Sequence, residues 1–302
     1  MTQIMSFAYS IQSLHLKCAV FVCLAFLAWP VAGADERPNI EWTADYHAGL
    51  DQAENRHAQA LLWFYDPSRE EENERLQAEI FGQPEITRLI FERFVAIKLS
   101  RDVKIMSGGD EITLLNHPAF AEMHHTAGLA IVDMAEPNGP LYREVVSVYP
   151  FTHGSISAEK LAVLLSLPRG TLTQRTLIFA VQTHVESPAS AAGEYSPILA
   201  HEAEDHARHQ ARIAIQGHHN WNTRFHSINA RLPSGLLAQE VCAQSWPGQN
   251  LLEAAVECVH SWRQSPGHWS AVSSRQALFS YDMQRGANGV WYAAGIFASR
   301  AE

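Results

Sequence analysis

The segment Ser261–Trp269 reads Ser-Trp-Arg-Gln-Ser-Pro-Gly-His-Trp and carries the clearest chemical signal in the chain. Pro266 fixes φ and Gly267 permits a sharp reversal, so His268 is expected to project from a stiff turn, with Trp262 and Trp269 on either side. A protein holds an imidazole toward a cavity in this way, and an imidazole near neutral pH can donate, accept or ligate. Two more groups precede it in order. His218 follows Gly217 where a long helical pattern ends, and Glu240 stands in a short apolar stretch, Gln239-Glu-Val-Cys-Ala243.

These groups need elements to hold them. From Pro197 a strongly helical run carries small residues at 203, 207 and 211, a close-packing face, and is expected to end near Gly217. Leu251 to Trp262 is a second helix, with Ala254, Ala255, Cys258 and Trp262 at helical spacing. Two last strands follow, Phe279–Met283 and Gly289–Phe297, and Asn288-Gly289 between apolar runs signals a hairpin. His201, His206 and His209 share the long helix with Glu202, Glu204 and Arg208, which reads as a solvated face. Nine of the sixteen histidines lie between His184 and His268, an excess that surface helices account for.

A long helix ending in Gly-His, a glutamate in a short strand, a helix ending in Trp, and then Ser265-Pro-Gly-His268 before two final strands resembles the CAP superfamily. This superfamily is also called SCP-like, after cysteine-rich secretory, antigen 5 and pathogenesis-related 1 proteins. The match spans residues 169–302 and is nearest the bacterial form. The resemblance implies an α-β-α sandwich with a central cleft, formed by His218, Glu240 and His268, with His219 as substitute if the register slips by one. Trp262 and Trp269 are then core and cleft wall. Many members carry a second glutamate three residues after the helix tryptophan; here Arg263, Gln264 and Ser265 follow instead. Two imidazoles and one carboxylate can still hold a divalent cation such as zinc, or they can bond only to each other and to water. A metal-assisted hydrolase using the same three groups is the alternative to a binding protein. No motif supports a serine or cysteine nucleophile.

The first half, residues 38–167, alternates helices with continuous apolar strands at 60–65, 94–99, 129–133 and 144–148, an α/β pattern with strands covered on both faces. Its order resembles the thioredoxin fold. The place of that family's Cys-x-x-Cys reads Asp66-Pro-Ser-Arg-Glu70, so thiol–disulfide exchange is not expected. His124 and His125, on an extended segment, are expected to point apart. Ser107-Gly-Gly-Asp110 is read as a turn without the helix or lysine of a phosphate loop.

Residues 1–34 read as a signal peptide: an apolar run of about 13 residues from Ala19 to Val31, too short to span a bilayer, then Ala32-Gly-Ala34 before Asp35. The chain is therefore expected to be exported, to the periplasm or beyond, with no transmembrane segment after cleavage. A net charge of −10 with scattered signs argues against a nucleic-acid partner. The expected partners are a small molecule, a lipid or glycan, or another exported protein. Of four cysteines, Cys242 and Cys258 lie beyond the signal sequence; they are open to one disulfide or to two buried thiols.

Overall fold

Apolar runs of the first half become a sheet buried on both faces. The computed structural model describes residues 39–300, and the expected signal peptide lies outside them. The first strand, β1 (Trp42–Thr43), leads into α1 (Tyr46–Asn55), whose N-cap Asp45 accepts from the Ala48 amide at 2.9 Å. Next come β2 (Gln59–Tyr65), α2 (Glu70–Arg75) continuing through a π-helical turn at Leu76–Phe81, α3 (Pro84–Arg93) and β3 (Phe94–Ser100). A hairpin of β4 (Lys104–Ser107) and β5 (Asp110–Thr113) turns through Gly108 and Gly109, both at positive φ. The strands β6 (Gly128–Asp133) and β7 (Val145–Pro150) and the helix α4 (Ala158–Ser166) complete this part.

The sheet order is β1-β3-β2-β6-β7, with β1, β3 and β2 parallel and β6 and β7 antiparallel. Leu61 and Trp63 pack on one face of β2, Ala60, Leu62 and Phe64 on the other, as the two-residue period requires. His124 and His125 do not lie on an extended segment: both are left-handed, at φ 50° and 55°, closing a short 3₁₀ turn.

A capping box of Thr171 and Gln174 opens α5 (Leu172–Gln182). Then follow β8 (Glu194–Tyr195), α6 (Pro197–Ile213), α7 (Trp221–Asn229), β9 (Leu236–Gln244), α8 (Leu251–Gln264), α9 (Pro266–Ser273), β10 (Leu278–Arg285) and β11 (Trp291–Arg300). The second sheet runs β8-β10-β11-β9. Leu199, Ala203 and Ala207 of α6 pack on Ala238, Ala294 and Ile296, on one face. Ala255, Cys258 and Trp262 of α8 share the other core with Val241, Ala243, Tyr281 and Phe297. The result is helix, sheet, helix, and the described residues as a whole are of the α/β class.

The two sheets share an apolar core, because α5 lies against both. Phe179 meets Tyr149 of β7 edge-on at 5.9 Å, and Leu177 to Val181 belong to the same cluster as Phe279 and Tyr281 of β10. Arg175, 1% exposed, donates to Ser147 Oγ (2.7 Å) and to the carbonyls of Leu164, Leu167 and Pro168. Farther along, Glu122 Oε2 accepts from the Leu251 amide at 3.0 Å, so a carboxylate of the first half sits at the positive end of α8.

Candidate functional site

Strand β9 sorts its side chains by parity. Glu240 and Cys242 share the α6 side with Ala238, whereas Val241 and Ala243 turn toward α8. On α6, His206 falls three residues after Ala203 and four before Gln210, on the buried stripe rather than the wet one. The helix stops at Ala214, left-handed at φ 55°, not at Gly217. The loop beyond is fastened back to the helix: Gln210 Oε1 accepts from the Gly217 amide at 3.0 Å, and His206 Nε2 donates to the Gly217 carbonyl at 2.9 Å. That fastening aims His218 over β9.

Glu240 is the hub. Its side chain is 1% exposed, and Oε1 lies 3.0 Å from His218 Nδ1 and 3.6 Å from His206 Nε2. Arg224 of α7 brings Nη1 to 2.6 Å from Oε2. A carboxylate at Nδ1 sets the tautomer of His218, with the proton on Nδ1 and the lone pair of Nε2 free. That lone pair faces His268, Nε2 to Nε2, at 3.2 Å. Burial pushes Glu240 up, but the His218 hydrogen bond and the Arg224 guanidinium outweigh it and hold the carboxyl below its usual range. Burial drives His206 down to about 4, so its ring is neutral. It also lowers His268, helped by His218.

The structure thus brings His218, Glu240 and His268 together from three separate elements. His268 arrives differently from expectation: Pro266 is not in a turn but at the first position of α9, so His268 projects from a helical first turn. Pro tolerates that position because the amide it lacks would be unpaired there. His219 points elsewhere, its Nε2 to the Ile215 carbonyl at 3.1 Å and its ring against His206 and His209. Trp262 lies fully buried against Tyr281, in the core stripe of α8 rather than on the cleft. Trp269 packs between His184 and Arg263.

Cys242 and Cys258 are free thiols, both buried. The parity of β9 explains it: Cys242 is on the α6 side and Cys258 belongs to the helix covering the other. Sequence reasoning also missed two groups. His206 is buried at 2% exposure, not part of a solvated face; its spacing from Ala203 and Ala207 was the available signal. Arg224 offered none, because only the packing of α7 on β9 brings it to Glu240.

Beside these groups a cleft of about 500 Å³ is lined by Ala214, Ile215, Gln216, Cys242, Gln244 and His268, among others. A separate cavity of about 580 Å³ opens in the first half beside Trp42, Tyr65 and Lys98. His206, Glu240 and Cys242 offer donor atoms all within 4.8 Å of one another, a buried group that could hold a metal ion. No helix among the described residues is long and apolar enough to cross a membrane.

No protein-family model matches the chain, and no curated protein matches it. Among solved structures the chain is similar to an outer surface protein from Borrelia burgdorferi. The identity is 18% over 36% of this chain and 78% of that one, with a TM-score of 0.29, too low to bear on fold or function.

Proposed function

We propose that this chain is an exported binding protein whose cleft takes a divalent cation such as zinc, or a small ligand, at His218 and His268. One observation carries the reading: the two Nε2 atoms face each other at 3.2 Å. Two Zn–N bonds of about 2.05 Å at the tetrahedral angle would put their nitrogens about 3.3 Å apart. Glu240, bonded to the far nitrogen of His218, is then the orienting carboxylate behind a ligand and not itself a ligand. A bound cation would supply a Lewis acid with positions left open for a donor from a small molecule, a lipid or glycan head group, or another exported protein.

In this reading the half from residue 169 is CAP-like. The half before it is a thioredoxin-like unit without dithiol chemistry, which its sheet order, three parallel strands flanked by an antiparallel pair, supports. The hydrolytic alternative gains no such support. A general base needs a free carboxylate oxygen facing a water, and Glu240 has one oxygen at His218 and the other at Arg224.

The test is elemental analysis and zinc titration calorimetry on purified protein, against a His218→Ala, His268→Ala double variant. The expected result is that the folded variant binds one equivalent of zinc fewer than the parent. Zinc uptake equal in both proteins, or none in either, would remove the cation from the proposal.

A further inference from the structure

Cys242 is a buried thiol in a position where neither a disulfide nor the paired imidazoles of the cleft use it. Its Sγ lies 3.7 Å from His218 Nδ1, and it joins His206 and Glu240 in a set of donor atoms within 4.8 Å of one another. Glu240 Oε1, which accepts from His218 Nδ1 at 3.0 Å and keeps a second lone pair, is 3.6 Å from His206 Nε2. A sulfur, an imidazole nitrogen and a carboxylate oxygen therefore converge beneath the cleft, from α6 and from one face of β9.

We infer that His206, Glu240 and Cys242 form a second, interior site for a thiophilic divalent ion of the zinc type, distinct from the imidazole pair at the cleft. The donor chemistry selects the ion. Thiolate with imidazole suits zinc, cadmium and cobalt, whereas magnesium and calcium require oxygen ligands in larger number. Binding breaks the S–H bond of Cys242. The sulfur electron pair goes to the metal, and the proton leaves to solvent through the cleft that Cys242 lines. Thiolate and carboxylate together match the two charges of the ion, while Arg224 stays on Oε2. His206 gives up its Nε2 proton, the ring taking one at Nδ1 from solvent instead, and exchanges its bond to the Gly217 carbonyl for the metal, so loading loosens one tie between α6 and the loop bearing His218. Of the three ligands the cleft reading uses only Glu240, as the partner of His218; Cys242 and His206 have no part in it, and the interior site does not depend on His268.

The experiment is anaerobic titration of the reduced, metal-free full protein with cobalt(II), followed by absorption spectroscopy. The expected result is a near-ultraviolet thiolate-to-cobalt charge-transfer band saturating at equimolar metal. The band is retained in His268→Ala and in Cys258→Ser, lost in Cys242→Ser, and bleached by zinc but not by excess magnesium. A band absent from the parent, unchanged in Cys242→Ser, or displaced by magnesium would overturn it. Should Cys242→Ser not fold, zinc protection of Cys242 against alkylation, followed by peptide mass spectrometry, decides on the parent protein. Protection supports the site, and alkylation at the metal-free rate refutes it. Failure of the cleft reading would look different, since it removes the effect of His268→Ala on zinc uptake and leaves the charge-transfer band intact.

Discussion

Replacing Glu240 by glutamine keeps the shape of the hub and removes its charge. The carboxylate is 1% exposed and its partner Arg224 is 18% exposed, so the variant leaves a largely buried guanidinium without its counterion. Breaking a buried pair from one side costs about 3–5 kcal/mol. The residual exposure of Arg224 places this case at the lower end, about 3 kcal/mol. Glutamine has one acceptor oxygen where His218 and Arg224 need two, so His218 also loses its fixed tautomer; loss of such an orienting partner weakens metal affinity by about 10–100-fold. The assay is urea unfolding paired with zinc titration, on Glu240→Gln and on Glu240→Gln with Arg224→Met. The double variant removes the orphan charge, and it should recover most of the stability while leaving zinc binding weak. The acid limb should change as well. A carboxyl held below its usual range stabilises the fold above its unfolded pKa, and that stability is lost as pH falls through the folded value, so the parent should lose more stability on acidification than the variant. A stability loss under about 1 kcal/mol, with no recovery in the double variant, would refute the view that the Arg224 contact is a working buried ion pair.

Three other outcomes follow from buried polar groups. Burial raises Asp282 to about 6 from 3.8, against hydrogen bonds from Thr173, Gln174 and the Met283 amide. The folded protein therefore keeps a proton that the unfolded chain gives up. Relative to Asp282→Asn, parent stability should fall by at most about 3 kcal/mol as pH rises from about 4 to about 6; a constant difference in urea midpoint across that window would exclude it. Arg175→Met strips four acceptors of their donor and should cost about 3 kcal/mol or more, read as a lowered thermal midpoint, and a change under about 1 kcal/mol would show that the junction does not need it. Trp262→Ala should cost about 3–5 kcal/mol, whereas Trp262→Phe should cost under about 2, since the buried indole N–H has no partner among the described residues; zinc uptake should be unchanged in the folded Phe variant.

Local signals in the sequence carried the α/β class because the apolar runs of β2, β3, β6 and β7 are continuous, and continuity reports burial on both faces. They carried His218, Glu240 and His268 because the order of those residues resembles a known arrangement. They did not carry the partners. His206 shares a helix with charged neighbours, and composition alone cannot separate a wet stripe from a buried one when the two interleave at a period of 3.6 residues; the spacing from Ala203 and Ala207 could have done so. Arg224 is beyond any local pattern, because its role exists only where α7 crosses β9. The cysteine question had its answer in parity. A residue at 242 on a strand shares a face with 240, and Cys258, at helical spacing with Ala255 and Trp262, belongs to the layer against 241 and 243.

The helix α5 shows why the segment around Arg169 is legible as a change of pattern and yet is no break in the core. Its sequence reads as amphipathic, with Gln174, Arg175 and Thr176 where a polar face would lie. In the fold every residue from Gln174 to Val181 is buried. A helix covered on all sides can keep polar groups only if each finds a partner. Here Gln174 donates to Asp282 and its Oε1 accepts from Tyr195, Arg175 takes the three carbonyls and Ser147, and Thr176 bonds back to the Leu172 carbonyl. These polar residues are what fixes α5 between two sheets, since bonds to β7 on one side and to β10 on the other cannot both be made after a slip along the helix axis. The cleft hangs on the second sheet, so the register of α5 against β10 bears on the sheet whose edge strand, β9, carries Glu240 and Cys242. Arg175 and Asp282 make none of the contacts of His218, Glu240 or His268; they belong to the register of the sheet that carries them.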